Sequence, residues 1–178
     1  MRKLIYTSLA LLCLSGLYSY SSGVFSADYT GSTGLGQSCA QVGCHEGAGG
    51  TSGVDSSRLY VRVLDGSNND INTYSTGQQY TIEIRFKLLG AARVGFQCPA
   101  LFLFSTAKAG TVSNTLMPSL VQIYTDGSGR EYVSHTTAGN GSAVMSGGYA
   151  TWRYKWTAPA SATDAISFHC AVNRSNAD

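Results

Sequence analysis

The sequence predicts an all-β protein, an immunoglobulin-like β-sandwich of about seven to eight strands. Three observations support this class: several short segments alternate apolar with polar side chains, turn-forming residues separate them, and no helical period is sustained. Only 12% of the residues are charged, against about 25% in an average globular chain. Few charges with many Gly, Thr and Tyr residues are typical of an extracellular β-protein.

The first residues have the pattern of an export signal. Two cations, Arg2 and Lys3, precede a mostly apolar run at residues 4–17, which is too short to span a bilayer comfortably. Small residues follow, as a signal peptidase requires. We therefore expect a signal peptide at 1–26 and its removal. The mature protein is expected to be secreted, to the periplasm or the cell surface, with no integral membrane span.

The predicted domain organisation follows from the composition along the chain. Residues 27–57 are rich in Gly and Ser and carry no strand or helix signal, so we expect an irregular segment there. Residues 58–178 are expected to form the β-sandwich domain. The segments with strand signals are Leu59–Leu64, Tyr80–Leu88, Val94–Phe104, Leu120–Tyr124, Arg130–Ser134, Tyr149–Trp156 and Ile166–Val172.

Three of these signals predict more than the presence of a strand. Tyr80–Leu88 alternates strictly, which predicts one buried and one solvated face. Val94–Phe104 is apolar on both faces, which predicts a central strand with a bulge or break at Pro99. The sequence Asp-Gly-Ser-Gly at residues 126–129 predicts a hairpin turn between two strands.

Four cysteines remain after removal of the signal peptide, and an oxidising compartment favours their use in covalent bonds. The alternation places Cys98 and Cys170 on the core-facing sides of their strands, and His169 on the opposite side from Cys170. We therefore expect a Cys98–Cys170 disulfide that bridges the two sheets. Its loop of about 70 residues would stabilise the fold by roughly 4 kcal/mol in the chain-entropy model. Two buried thiols packed as small hydrophobic groups are the alternative.

The segment Cys39–His45 carries the most informative chemistry. It reads Cys-Ala-Gln-Val-Gly-Cys-His, with two thiols and an imidazole close together. In the c-type haem attachment signature, Cys-x-x-Cys-His, each thiol adds to one haem vinyl group and the His becomes an axial ligand of the iron. Cys39, Cys44 and His45 follow this pattern with four residues between the thiols instead of two.

Three other arrangements use the same residues. In the first, Cys39 and Cys44 form a local disulfide beside an exposed His45. In the second, they pair with Cys98 and Cys170 and staple the N-terminal segment to the sandwich. In the third, the cluster binds zinc, which requires a fourth ligand and thiolates that an oxidising compartment disfavours. From the residues alone, haem, disulfides and zinc all stay open.

The order of several short stretches resembles the bacterial Reeler-like proteins, the group with choice-of-anchor V domains. The matching stretches are Gly34–Gly47, Gly95-Phe96-Gln97 followed by Ala109-Gly110, Arg130–Thr136, Trp156–Pro159 and Phe168–Asn173. In that family a signal peptide and a Cys-x-x-Cys-His-type motif precede a β-sandwich. The resemblance therefore implies a Reeler-like sandwich, although the thiol spacing in this chain is wider than the family's.

The resemblance also implies haem c at Cys39 and Cys44, with His45 as the proximal ligand. A second axial ligand is usual for electron transfer. His135 matches the family's Tyr-Val-x-His-Thr stretch and is the first candidate for the distal ligand, and His169 is the second. We expect a secreted single-haem cytochrome that passes electrons to a redox partner or to copies of itself, in a homo-oligomer or filament.

Other functions have weaker support. The net charge of +2 argues against nucleic-acid binding, and no catalytic motif is present, so we do not expect an enzyme. The alternative to a cytochrome is a cofactor-free, disulfide-stapled adhesion or interaction module. A carbohydrate-binding face is a third option, if the strand aromatics are exposed rather than in the core. These aromatics are Tyr60, Tyr124, Tyr149, Trp152 and Trp156.

Overall fold

A computed structural model of the chain describes residues 29–32, 57–161 and 164–175. The strands in these ranges are β1 Leu59–Leu64, β2 Gln79–Lys87, β3 Arg93–Phe102, β4 Thr111–Ser113, β5 Val121–Thr125, β6 Glu131–His135, β7 Met145–Ser146, β8 Tyr149–Thr157, β9 Ile166–Phe168 and β10 Ala171–Ser175. Two single turns of 3-10 helix, Ala138–Asn140 and Ser142–Val144, lie between β6 and β7. Across the described ranges, no helix is long and apolar enough to cross a membrane.

The strands form two antiparallel sheets of five strands each. The first has the order β1-β2-β8-β4, and β7 also pairs with β8. The second has the order β10-β3-β6-β5, and β9 also pairs with β3. This confirms the predicted all-β sandwich. The described strands outnumber the predicted ones because β4 and β7 are too short to show a period, and because the segment predicted at Ile166–Val172 is split into β9 and β10.

The core lies between the inner faces of the two sheets. Rings from opposite sheets meet there: the Phe96 ring centroid is 4.7 Å from that of Trp152, and the Phe168 centroid is 5.2 Å from that of Trp156. Both indoles are fully buried. Their N–H groups donate to backbone carbonyls, at 2.7 Å for Trp152 and 2.8 Å for Trp156. Trp152 and Trp156 are therefore core residues, not members of a sugar-binding face.

Strand β3 is central in its sheet and buried on both faces, as predicted. Pro99 lies within it without a bulge in β3 itself. The interruption falls in the neighbouring strand, which is split into β9 and β10 at His169 and Cys170. Pro99 has no N–H to donate to that neighbour, so the ladder loses one of its hydrogen bonds there. The sequence predicted a break at Pro99, and the break occurs in the strand that pairs with Pro99.

Two predicted exposures are wrong. The outer face of β2 was expected to be solvated, yet Thr81 and Glu83 are 7% and 3% exposed. Long side chains from the neighbouring strands cover them. The strand predicted over Val94–Phe104, apolar on both faces, ends at Phe102, and Phe104 is 85% exposed.

The predicted hairpin turn at residues 126–129 is present between β5 and β6. The Asp126 carboxylate accepts hydrogen bonds from the backbone N–H groups of Ser128 at 2.8 Å and Arg130 at 2.9 Å. Gly129 has a φ of 81°, in the left-handed region that favours glycine. The turn sets the register of β5 on β6 and so places His135 at the end of β6 opposite Val121.

Candidate functional site on the outer face of the second sheet

Three of the predicted site residues, Cys39, Cys44 and His45, lie outside the described residues. Their assignment to haem stays a prediction. The other two, His135 and His169, are described, and both contact strand β3. Among the described residues no group of three or more His, Cys, Asp or Glu side chains is placed to hold a metal ion.

The described part of the N-terminal segment joins the sandwich on the outer face of β3. The Tyr29 N–H donates to Gln97 Oε1 at 2.8 Å, and Ser32 is 1% exposed. Gln97 alternates with the core residues Phe96 and Cys98, so its side chain points away from the core, yet it is buried. Residues 29–32 are therefore held against this face rather than extended into solvent.

His135 lies beside that attachment point. Its Nδ1 atom is 3.0 Å from the Phe96 backbone nitrogen and 3.2 Å from the Phe96 carbonyl oxygen. The backbone pairing of β3 with β6 ends at Gln97 and Ser134, one residue before Phe96 and His135 would meet. The imidazole therefore continues the ladder by one step, taking the place of a backbone partner for Phe96.

The position of the proton on His135 decides what the second ring nitrogen can do. Nδ1 either accepts from the Phe96 N–H or donates to the Phe96 carbonyl, depending on the tautomer. When it donates, Nε2 carries the lone pair and is the nitrogen that can bind a metal ion. Burial lowers the pKa of His135 below its usual 6.5, and the Phe96 carbonyl offsets this in part. The imidazole is therefore neutral at pH 7, as a metal ligand must be.

His169 lies on the other side of Gln97 along β3. It is half-buried, and its backbone N–H donates to the Pro99 carbonyl at 3.2 Å. His135 is hydrogen-bonded to Phe96 and His169 to Pro99, one and two residues from Gln97 along β3. The two candidate ligands therefore flank the residue that holds the N-terminal segment.

The structure holds Cys98 and Cys170 as thiols, and the disulfide between them stays a prediction. The expectation that a bridge would join the two sheets is wrong. Cys98 lies on β3, and β9 and β10 both pair with β3 in the same sheet. Cys98 is fully buried as predicted, whereas Cys170 is half-buried and packs against the core from the edge of the sheet.

Sequence reasoning missed a buried carboxylate on the outer face of the first sheet. Glu83 accepts from Arg62 NH1 at 3.1 Å through Oε1 and from Arg153 Nε at 2.8 Å through Oε2. Arg62 also pairs with Asp70, at 3.1 Å. The signal was in the sequence: Arg62, Glu83 and Arg153 each occupy outer positions of their strands. Only the register, which sets Arg62 and Arg153 directly across from Glu83, makes them one cluster.

Two of the surface pockets formed by the described residues are similar in size, and neither is lined by a histidine or cysteine. One, of about 430 Å³, lies beside the 3-10 turns and is lined by small and polar residues with Arg93. The other, of about 410 Å³, is an apolar groove between β1 and β9 with Tyr74, Trp156 and Phe168 in its wall. Neither pocket brings together an acid, a base and a nucleophile, so neither suggests catalysis.

Comparison with solved structures finds reeler domains of F-spondin. One crystal structure of the human F-spondin reeler domain has a TM-score of 0.48 and 16% sequence identity, covering 67% of this chain and 77% of that chain. A second has a TM-score of 0.47 and 17% identity, covering 65% and 78%. No protein-family model and no curated protein matches the chain. The strand order itself defines the class, a ten-stranded antiparallel β-sandwich over the described residues.

Proposed function

We propose that this chain is a secreted single-haem c-type cytochrome that transfers electrons outside the cytoplasm. Cys39 and Cys44 form the thioether bonds, and His45 is the proximal ligand. The observation that supports this proposal is the Cys-x4-Cys-His segment at residues 39–45. It follows a chain segment that is hydrogen-bonded to β3 at Gln97, near His135 and His169. A c-type haem supplies a one-electron couple at its iron.

The attachment at Gln97 supports this proposal because it limits where the motif can lie. The chain runs seven residues from Ser32 to Cys39, a length that spans at most roughly 25 Å. Ser32 is buried, and Tyr29 is bonded to the outer face of β3. The motif is therefore within reach of β3, which His135 and His169 both contact.

His135 is the favoured distal ligand, because its environment suits an iron-binding imidazole. Metal-bound histidines usually donate their second N–H to a carboxylate or a backbone carbonyl, which fixes the ring. The Phe96 carbonyl, 3.2 Å from Nδ1, supplies that bond. His169 is the second candidate, since its backbone is fixed by Pro99. His135 would hold the iron from the end of strand β6, whereas His169 would do so from the junction between β9 and β10.

A single haem moves an electron only to a nearby acceptor. The proposal therefore requires a redox partner or neighbouring copies of the chain, in an oligomer or a filament. The test of self-association is sedimentation of the mature protein over a wide concentration range. A mass that stays monomeric throughout would leave only a separate redox partner.

The decisive experiment is the visible spectrum of the mature protein, purified from a host with c-haem maturation machinery. We expect a Soret band and a sharp α-band on reduction, with colour that survives acid–acetone extraction because the haem is covalently attached. The control is the Cys39→Ala/Cys44→Ala variant, which should lose the colour while keeping its far-UV circular dichroism. A colourless wild-type protein from the same host would overturn the proposal.

A second candidate function is a cofactor-free, disulfide-stapled interaction module outside the cell. The observation that favours it is the bonding of His135 into the β3–β6 ladder, a structural role that needs no haem. In this case Cys39 forms a disulfide with Cys44, and Cys98 forms one with Cys170. Intact mass separates the two functions, because the module has the mass of the bare chain less four hydrogens, whereas the cytochrome carries a haem.

A further inference from the structure

The strand register places Cys170 directly opposite Cys98. In the β10–β3 pairing Ala171 lies opposite Gln97, and in the β9–β3 pairing Phe168 lies opposite Ala100. The two pairings share one alignment, so the residues between them continue it. His169 then falls opposite Pro99, and its N–H does donate to the Pro99 carbonyl at 3.2 Å. Cys170 is the next residue in that alignment.

The type of pair is suited to a disulfide. Antiparallel ladders alternate hydrogen-bonded with non-hydrogen-bonded pairs. Because His169 and Pro99 are hydrogen-bonded, Cys170 and Cys98 are a non-hydrogen-bonded pair, whose Cα atoms are typically about 4.5 Å apart. Disulfides are formed at Cα separations of about 4.4–6.8 Å.

A third residue, Tyr154 from the opposite sheet, lies near both cysteines. Tyr154 of β8 is fully buried, and its hydroxyl has no hydrogen-bond partner of normal geometry. Burial raises the pKa of Tyr154 well above its usual 10, and nearby Cys98 and Cys170 raise it further. Both cysteines therefore lie close to this one hydroxyl in the core.

We propose that Cys98 and Cys170 are joined by a cross-strand disulfide in the exported protein. The thiolate of one cysteine attacks an external disulfide and releases one thiol. The second cysteine then displaces the other, so that the oxidant becomes two thiols and the chain loses two hydrogens. The proposal rests on export, which is part of the proposed function, but not on haem.

The bridge joins two strands where a backbone hydrogen bond is missing, and one of its two sulfur atoms is partly exposed. It joins β3 to the β9–β10 junction beside Pro99, where the ladder lacks a hydrogen bond because proline has no N–H. Cys98 is fully buried, whereas Cys170 is half-buried. Cys170 is therefore the sulfur that an external thiol or disulfide reaches first, and small thiols should reduce the bond in the folded protein.

The test is a non-reducing peptide map of the mature wild-type protein, alkylated before it is unfolded. We expect one linked pair of peptides containing Cys98 and Cys170. Alkylation of both residues, or linkage of either to Cys39 or Cys44, would overturn the proposal. The map of the Cys39→Ala/Cys44→Ala variant should show the same link. If that variant is colourless but linked, the bridge stands whether or not haem is bound in the wild type.

Thermal unfolding supplies a second measurement. Reductant should lower the Tm of the wild type by roughly 10 °C, the order expected for a bridge that closes a long loop. It should leave the Tm of the Cys98→Ala/Cys170→Ala variant unchanged. An equal response of both proteins to reductant would count against the bridge. The peptide map needs only the wild type, so it decides the question even if the double variant does not fold.

Discussion

The imidazole of His135 occupies the space that a side chain on Gly95 would need. A Cβ atom built on Gly95 would lie 2.3 Å from His135 Cε1 and 2.7 Å from Nε2. Real Cβ atoms are not found this close to other atoms, so the ring requires glycine at this position. The same ring is bonded through Nδ1 to the backbone of Phe96. The absence of a side chain at Gly95 therefore allows the imidazole to pack directly against β3.

Gly95→Ala is expected to destabilise the fold by about 1–3 kcal/mol, because the added methyl group forces the imidazole away from β3. Urea denaturation measures the free energy of unfolding. The matched control is Gly95→Ala in a His135→Ala background, where the space is already vacant and the methyl group should cost much less. If the two backgrounds lose the same amount, the contact between these residues does not matter for stability.

His135→Ala is expected to change the spectrum of the haem-loaded protein, whereas His169→Ala is expected to leave it unchanged. If haem is bound and His135 is its distal ligand, loss of that ligand would convert a low-spin iron into a high-spin one, which would shift the Soret band and weaken the α-band. The measurement is the visible spectrum of each variant at equal haem content. The reverse result would assign the distal position to His169, and no change in either would exclude both.

Glu83→Gln is expected to destabilise the protein by about 1–3 kcal/mol. The side chain of Glu83 is 4% exposed and lies between two guanidinium groups, so its neutralisation leaves Arg153 without this counter-charge and Arg62 with Asp70 alone. Asp70→Asn is the control, because Asp70 is 54% exposed and should cost less than about 1 kcal/mol. Equal losses in chemical denaturation would show that the burial of Glu83 is unimportant.

Asp126 makes the hairpin turn sensitive to acid. Partial burial opposes its charge, but hydrogen bonds from Arg130, Ser128 and Tyr132 outweigh this effect and hold its pKa below the usual 3.8. A carboxyl group with a lowered pKa in the folded state stabilises the fold above the unfolded pKa. That contribution is lost as the pH falls from about 4 through the folded-state pKa.

Asp126→Asn should therefore lower stability at pH 7 but have progressively less effect below about pH 4. The reason is that the protonated Asp of the wild type has also lost its charge. Urea unfolding of both proteins from pH 7 to pH 2 measures the difference. A gap that stays constant over this range would show that ionisation of Asp126 does not stabilise the turn.

Most strands were predictable because their signals are local. The alternation in Tyr80–Leu88 and Tyr149–Trp156 depends only on neighbouring residues, and β2 and β8 follow it within a residue or two. The strands that were missed, β4 and β7, have three and two residues and form only because β8 offers them an edge. Their existence depends on pairing rather than on propensity.

The candidate site divides in the same way. The residue types were evident: His135 and His169 were chosen from the sequence, and both lie against β3. Their position near the hydrogen bond between Tyr29 and Gln97 was not evident, because these residues are far apart in the chain. Glu83 was expected to be solvated, because alternation assigns a face but does not show which long side chains will cover it.

The sequence by itself determined the class of fold, the positions of the main strands and turn, and which cysteines face the core. Only the tertiary structure decided that Cys98 and Cys170 are neighbours within one sheet, that Gly95 makes room for His135, and that Glu83 is buried. The physical reason is that a period of two is a property of each strand alone. Register, in contrast, is chosen by the packing of all the strands together.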